Sequence, residues 1–131
     1  MRISLHRLRV VGLVLYAWVA LAAFDLLRPA GFARMNRWLS HARPKPGESW
    51  ATTGIVVWSV EEACVWYPKR AMCLQRSAVA TWLLRRHGIA AEMVIGFRPL
   101  PFESHAWVEV DGQVVNDRPQ YQRAFHVLDR L

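Results

Sequence analysis

Cysteine is scarce in this chain: Cys64 and Cys73 are its two cysteines among 131 residues. Two thiols are too few for a disulfide framework. They could pair in an oxidising compartment, but a small cytoplasmic protein with two free thiols is the plainer reading. There is no CxxC, no HExxH and no second cluster at metal-ligand spacing, so no four-ligand zinc site can be assembled, and no metal or cofactor is expected. Acidic residues are in the minority. Ten Asp and Glu against 17 Lys and Arg leave a formal charge of +7 and a pI near 10.4, which favours acidic partners such as nucleic acid, anionic lipid or an acidic peptide. The basic residues fall in short doublets such as Arg85-Arg86 rather than one run, and no RNP-like or zinc-finger motif occurs, so nucleic acid is not expected. Repeats and low-complexity tracts are absent too. What is abundant is apolar: 53% of residues, ample for a packed core and against disorder.

The longest apolar run lies near the N-terminus. "HRLRVVGLVLYAWVALAAF" has a basic lead-in, then an uninterrupted apolar stretch from Val10 to Phe24 that Leu26 and Leu27 extend past Asp25. The run is shorter than the ~20 residues a spanning helix needs, and Ala20-Leu21-Ala22 resembles a signal-peptide cleavage tripeptide. The basic, amphipathic "RPAGFARMNRWL" that follows instead suits a helix docked on a neighbour. Three readings stay open for residues 10–27: a buried or membrane-surface helix, a true anchor, or a signal peptide. Residues 1–40 therefore form a hydrophobic and basic helical segment, read as two helices broken at "RPAG". The proline-rich "HARPKPGES" makes 41–49 a linker, and 50–131 make the main domain.

Within that domain, "TTGIVVWSVEEACV" mixes β-branched residues with a helical stripe of Val56, Val60, Ala63 and Cys64. The reading is a helix that stops before Pro68, because a residue preceding proline is disfavoured from helical geometry. "CLQRSAVATWLLRRHG" is the clearest helix. Leu74, Ala78, Trp82, Ala80, Leu83 and Leu84 form a broad apolar face, while Arg76, Arg85 and Arg86 are expected to point to water. Gly88 stands where a left-handed cap belongs, with Ile89 packing back across it. "AEMVIGFRP" is a strand ended by Pro99 and Pro101, and "HAWVEV-DG-QVVND" gives two more around an Asp-Gly turn. Helices followed by three antiparallel strands imply an α+β layer arrangement.

Three residues carry chemistry here. Cys73 opens the clearest helix, where outward N–H groups and the helix dipole favour thiolate and lower a cysteine pKa from its usual ~8.5; Lys69 and Arg70 would add to this if they approached the sulfur. His105 and Asp117 stand near the two ends of the hairpin, and their relation hinges on its loop. A two-residue turn at Asp111-Gly112 sets Asp117 opposite Ala106 and puts His105 on the other face. A three-residue loop with Gly112 left-handed pairs His105 with Asp117, Trp107 with Val115 and Val108 with Val114, and puts Ala106, Val108, Val110 and Val114 on one face. The glycine suits either turn. The three-residue register is expected, since it alone completes a site. Asp117 would then orient the imidazole, His105 would take the thiol proton, and Cys73 would attack a carbonyl carbon. The Cys73 N–H would hold the oxyanion with a second donor left unassigned. Singly, each of these residues is more often ordinary: a small buried thiol, a satisfied strand histidine, a turn aspartate. Cys64 is read as a half-buried structural thiol.

The stretch from Tyr67 to Asp117, "YPKRAMCLQRSAVATWLLRRHGIAAEMVIGFRPLPFESHAWVEVDGQVVND", resembles the leader peptidases of lasso-peptide biosynthesis, the microcin-processing B-protein family of the transglutaminase-like (papain-type) cysteine-protease superfamily. The "CL-R" helix start, "LLRR-GI-A", "VIG-R" and "HAWVE--G-VVND" carry the likeness, and the hydrophobic N-terminal segment is similar to that of stand-alone members. The resemblance implies a transglutaminase-like α+β core, with a Cys-helix on a small antiparallel sheet, preceded by a helical segment. It puts the family's cysteine, histidine and aspartate on Cys73, His105 and Asp117. It implies a cysteine endopeptidase acting on a lasso precursor peptide in the cytoplasm, upstream of an asparagine-synthetase-like cyclase. With no room expected for a fused winged-helix-like leader-binding domain, a separate leader-recognition protein is the expected partner. The rival expectation is a non-catalytic subunit that docks the precursor on the same fold.

Overall fold

The computed structural model describes residues 4–27, 32–41 and 51–131. The expected break at 28–31 and the expected linker, apart from His41, lie outside them. The elements run α1 (Leu5–Leu27), α2 (Phe32–His41), α3 (Thr53–Trp66), α4 (Cys73–Arg86), β1 (Ala91–Pro99), β2 (Phe102–Val110), β3 (Gln113–Val114), α5 (Tyr121–Ala124) and β4 (His126–Arg130).

Local chemistry sets the ends of the two central helices. Thr52 caps α3 with its side chain accepting from the Ile55 N–H, and the extended Tyr67 before Pro68 stops it. Helix α4 closes in a Schellman motif: Gly88 takes φ 78°, its N–H reaches Arg85 O, and the Ile89 N–H reaches Leu84 O at 3.0 Å. Helix α1 packs against α3 and α4 through Leu13, Ala17, Ala20, Leu21 and Phe24, in one cluster with Val56, Val60, Ala63, Leu83 and Leu84. Each large side chain buried this way contributes roughly 1.5–3 kcal/mol. Polar bonds fix the same contact. Gln75 Nε2 donates to Leu21 O at 2.9 Å, Trp18 Nε1 donates to Trp66 O at 3.2 Å, and Asp25 takes the Tyr67 hydroxyl and, at 2.9 Å, the Lys69 ammonium. Burial alone would raise the Asp25 carboxyl, but the bonds from Tyr67 and Lys69 hold it below its ordinary value. Lys69 thus faces Asp25.

The sheet is antiparallel with order β3-β2-β1-β4. Strand β4 was not expected from the sequence; it pairs with β1, and Leu131 exchanges both backbone bonds with Met93. One sheet face, including Ala91, Met93 and Val108, joins the helical core. The other gathers Val94, Trp107 and Phe125 into a second cluster. Between the opposed carboxylates of Glu92 and Glu109, Arg130 bridges both, at 3.3 and 3.1 Å. Burial works to raise Glu109, but donation from the Trp107 indole and Arg130 holds it low.

Two expectations fail. The hairpin has the two-residue turn, with Asp111 at φ 52° and Gly112 at φ 75°, pairing Val110 with Gln113 and Glu109 with Val114. Two consecutive left-handed residues make the turn whose twist matches the strands, and Asp-Gly supplies both. Val114 therefore joins the Trp107 cluster instead of the Ala106–Val108 face. The second failure concerns α4, whose arginines do not all point to water. Arg85 donates to the carbonyls of Ala91, Leu39 and Leu131 at 2.9, 2.8 and 2.8 Å, tying α2 and the chain end to α4. Arg76 turns inward, as described below. In both, a half-buried guanidinium finds carbonyl or carboxylate acceptors that helix periodicity does not reveal.

Gly96 faces the Trp107 cluster without room for a side chain. A Cβ there would stand 2.7 Å from the Trp107 ring and 3.0 Å from Phe125 Cβ. Gly96→Ala is expected to destabilise the fold by about 1–3 kcal/mol through overpacking, read as a lower urea midpoint; an unchanged midpoint would show that the ring can yield.

Candidate active site

Helix α4 begins with an extended cap residue, Met72, whose side chain makes no capping bond. The first helical bond runs from the Arg76 N–H to Met72 O at 2.9 Å. The N–H groups of Cys73, Leu74 and Gln75 therefore lie ahead of the helical ladder, as the first turn of any helix requires. Cys73 is partly exposed and is a free thiol.

Residues three and four along a helix share a face with the first, so Arg76 and Ser77 report where the Cys73 face points. Ser77 Oγ donates to Ala106 O, beside His105, at 3.1 Å. Arg76 Nη2 bonds Asp117 Oδ2 at 3.3 Å, and its Nε lies 3.4 Å from Glu61 of α3. Asp117 Oδ2 also stands 2.8 Å from His105 Nε2, with both side chains 15% exposed. A carboxylate can only accept, so Nε2 carries the proton of this contact and Nδ1 is the ring nitrogen not engaged by Asp117. The second carboxylate oxygen accepts the Arg118 N–H at 2.9 Å.

His105 and Asp117 thus meet in the very register expected to part them. The ladder ends after Val114, and the one further backbone bond is from the Val115 N–H to Val108 O at 3.0 Å. Asn116 Oδ1 then takes the Val108 N–H at 2.8 Å, where the facing strand's carbonyl would otherwise stand. Its Nδ2 donates to Ser77 Oγ at 3.1 Å. The chain bends over 115–117, and Asp117 turns to the His105 face. Beneath His105 lie Trp107, ring centroids 6.3 Å away, and Phe125 at 5.9 Å. On that side a cleft of about 350 Å³ is lined by Arg98, Glu103, Arg118 and Phe125.

Sequence reasoning missed Arg76, Ser77, Asn116 and Glu61. Asn116 carried a signal, since an asparagine beside a strand end readily replaces a backbone partner with its own amide. Arg76 carried only its three-residue offset from Cys73. Burial raises the Glu61 carboxyl, and the Asp117 charge pushes the same way against Arg76. Cys64 is the half-buried thiol expected: burial first, then the Glu61 charge, push it up to about 11. Among the described residues no group of His, Cys, Asp and Glu gathers to hold a metal ion.

A cysteine-led helix laid against a small antiparallel sheet, with a bonded histidine–aspartate pair at its edge, defines a class. The chain belongs to the transglutaminase-like superfamily, whose family model matches residues 13–130. Over 59 residues it is 45% identical to the microcin J25-processing protein McjB of Escherichia coli; the match covers 45% of this chain and 28% of that protein. It thus spans less than a third of the curated relative's length. No solved structure matches the chain significantly.

The Cys64 environment gives a direct chemical readout. In Cys73→Ser protein, iodoacetamide at pH 8 should modify Cys64 at least ~100-fold more slowly than free cysteine, because burial and the Glu61 charge push its thiol up to about 11, well above the usual ~8.5. Labelling at the free-thiol rate would contradict the buried placement.

Proposed function

We propose that this chain is a cysteine endopeptidase that removes the leader from a lasso-peptide precursor, using Cys73, His105 and Asp117. The observation that carries the reading is the 2.8 Å contact between His105 Nε2 and Asp117 Oδ2, anchored to the Cys73 helix through Arg76 and Ser77. Similarity to a microcin-processing protein supports the choice of substrate class.

In this mechanism Asp117 holds the imidazole with its proton on Nε2, and Nδ1 takes the Cys73 thiol proton. Sγ bonds to the scissile carbonyl carbon, and the backbone N–H of Cys73 stabilises the oxyanion. As the C–N bond breaks, His105 returns the proton to the leaving amine. Water then adds to the thioester, giving its proton to His105, and the thiolate leaves as the leader carboxylate is released. Arg76 acts as a positioning residue: it fixes the Asp117 oxygen that also holds His105. A separate leader-recognition protein would raise the local concentration of precursor, and an asparagine-synthetase-like cyclase would consume the freed amine.

The rival reading, a precursor-docking subunit without catalysis, would gain from a His105–Arg118 pairing across the hairpin; His105 bonds Asp117 instead. Mass spectrometry of precursor incubated with the chain and the leader-recognition protein separates the two. Cys73→Ala should lower leader release by at least ~10³-fold, since no other group replaces the nucleophile. Arg76→Gln should slow it by about 10²-fold with substrate binding retained, the loss typical of misplaced catalytic groups. Release by Cys73→Ala at the parent rate would remove Cys73 as the nucleophile.

A further inference from the structure

Helix α1 has two apolar faces, and the protein uses one. Leu13, Ala17, Ala20, Leu21 and Phe24 are buried against α3 and α4. On the other side Leu8, Val11, Leu15, Val19 and Leu26 repeat at helical spacing and are 54%, 55%, 63%, 60% and 83% exposed. Contiguous exposed apolar surface on this scale marks an interaction site. On one flank it runs into a cleft of about 350 Å³ shared with α3, where Trp58 and Trp66 are largely exposed and Glu62 accepts the Trp66 indole N–H. On the other flank, toward α4, a second cleft is rimmed by Arg9, Arg86 and His87. Arg7 adds charge at the same end, and α1 carries no acidic residue before Asp25, which Lys69 neutralises.

We propose that the outer face of α1 lies on an anionic lipid bilayer, with the helix parallel to the surface. An apolar stripe edged by tryptophans and bordered by arginines matches the acyl boundary, the interfacial zone and the headgroup phosphates in turn. Charge selects this occupant over a neutral surface, since the whole chain carries +7. The helix is long and apolar enough to cross a membrane, but its inner stripe is part of the core. A crossing α1 would drag α3 and α4 into hydrocarbon with Glu61, Arg76 and Arg85. Cleavage after Ala22 would remove Leu13, Ala17, Ala20 and Leu21 from the core, together with the carbonyl that Gln75 bonds. Of the three roles open to residues 10–27, lying on the surface keeps both faces occupied.

The test is flotation of the full chain with vesicles of phosphatidylcholine alone and of equimolar phosphatidylcholine and phosphatidylglycerol. At least about tenfold stronger partition onto the anionic vesicles is expected. Val11→Glu with Leu15→Glu should abolish most of it, by about tenfold or more, while far-UV circular dichroism stays that of the parent; Val19→Glu alone provides a milder second variant. Arg86→Gln should weaken anionic binding and its salt sensitivity. Equal partition onto both vesicle types, or glutamate variants that float like the parent, would overturn the proposal. So would a dimer seen by light scattering that the glutamates disperse with no vesicle binding, since a second copy would then occupy the face.

Discussion

The side chain of Asn116 sets the geometry on which the rest of the candidate site depends. By accepting the Val108 N–H it takes the place of the facing strand's carbonyl, so the ladder stops after β3 and the chain is released to bend. By donating to Ser77 it fixes that bend against α4. A buried backbone donor without a partner costs on the order of 1–3 kcal/mol, so the bend needs a side chain that accepts at one end and donates at the other. An amide does both; an aspartate in its place could only accept from both. The contact between His105 and Asp117 is therefore a consequence of how the hairpin fails to continue.

This explains which parts were legible in the sequence. Helices α3 and α4 and strand β1 follow from short-range signals: the Thr52 cap, Pro68, the Gly88–Ile89 closure and the proline that ends β1. The Asp-Gly turn is legible as a turn, but its glycine suits either register, and the backbone twist of the strands selects the two-residue one. Periodicity treats a strand as continuous, so a ladder ended by a side chain lay beyond it. Arg76 and Arg85 escaped for a related reason. Position on a helix says which way an arginine leaves the backbone, not whether a carboxylate or three carbonyls wait for it. Strand β4 has no signal of its own: its residues are exposed, and it is held by β1, with Arg85 bonding the Leu131 carbonyl just beyond it.

Helix α1 shows the opposite limit. Its composition is plain in the sequence, yet apolar residues on every side carry no direction, and three roles stay open. Direction came from particular partners. Asp25 receives Tyr67 and Lys69, Leu21 O receives Gln75, and Ala17, Ala20 and Ala63 are buried in one cluster. Burial, reinforced by the bond to Asp25, pushes the Tyr67 phenol up to about 12, so it remains a donor throughout the neutral range and the tether does not depend on pH there. The same bond works from the other side. Asp25 is held below its unfolded value of 3.8, so its stabilising contribution is present above that value and is lost as pH falls through the lower folded one.

Helix α3 joins the two surfaces. Trp58, Glu62 and Trp66, spaced by four, face the cleft beside α1. Glu61, one residue round the helix, reaches Arg76 and through it Asp117. Because α3 is packed on both sides by α1 and α4 with buried Val56, Val60 and Ala63, it cannot rotate to serve one surface without disturbing the other. A chain resting on lipid through the outer face of α1 would keep α3 between the bilayer and the Arg76–Asp117 pair.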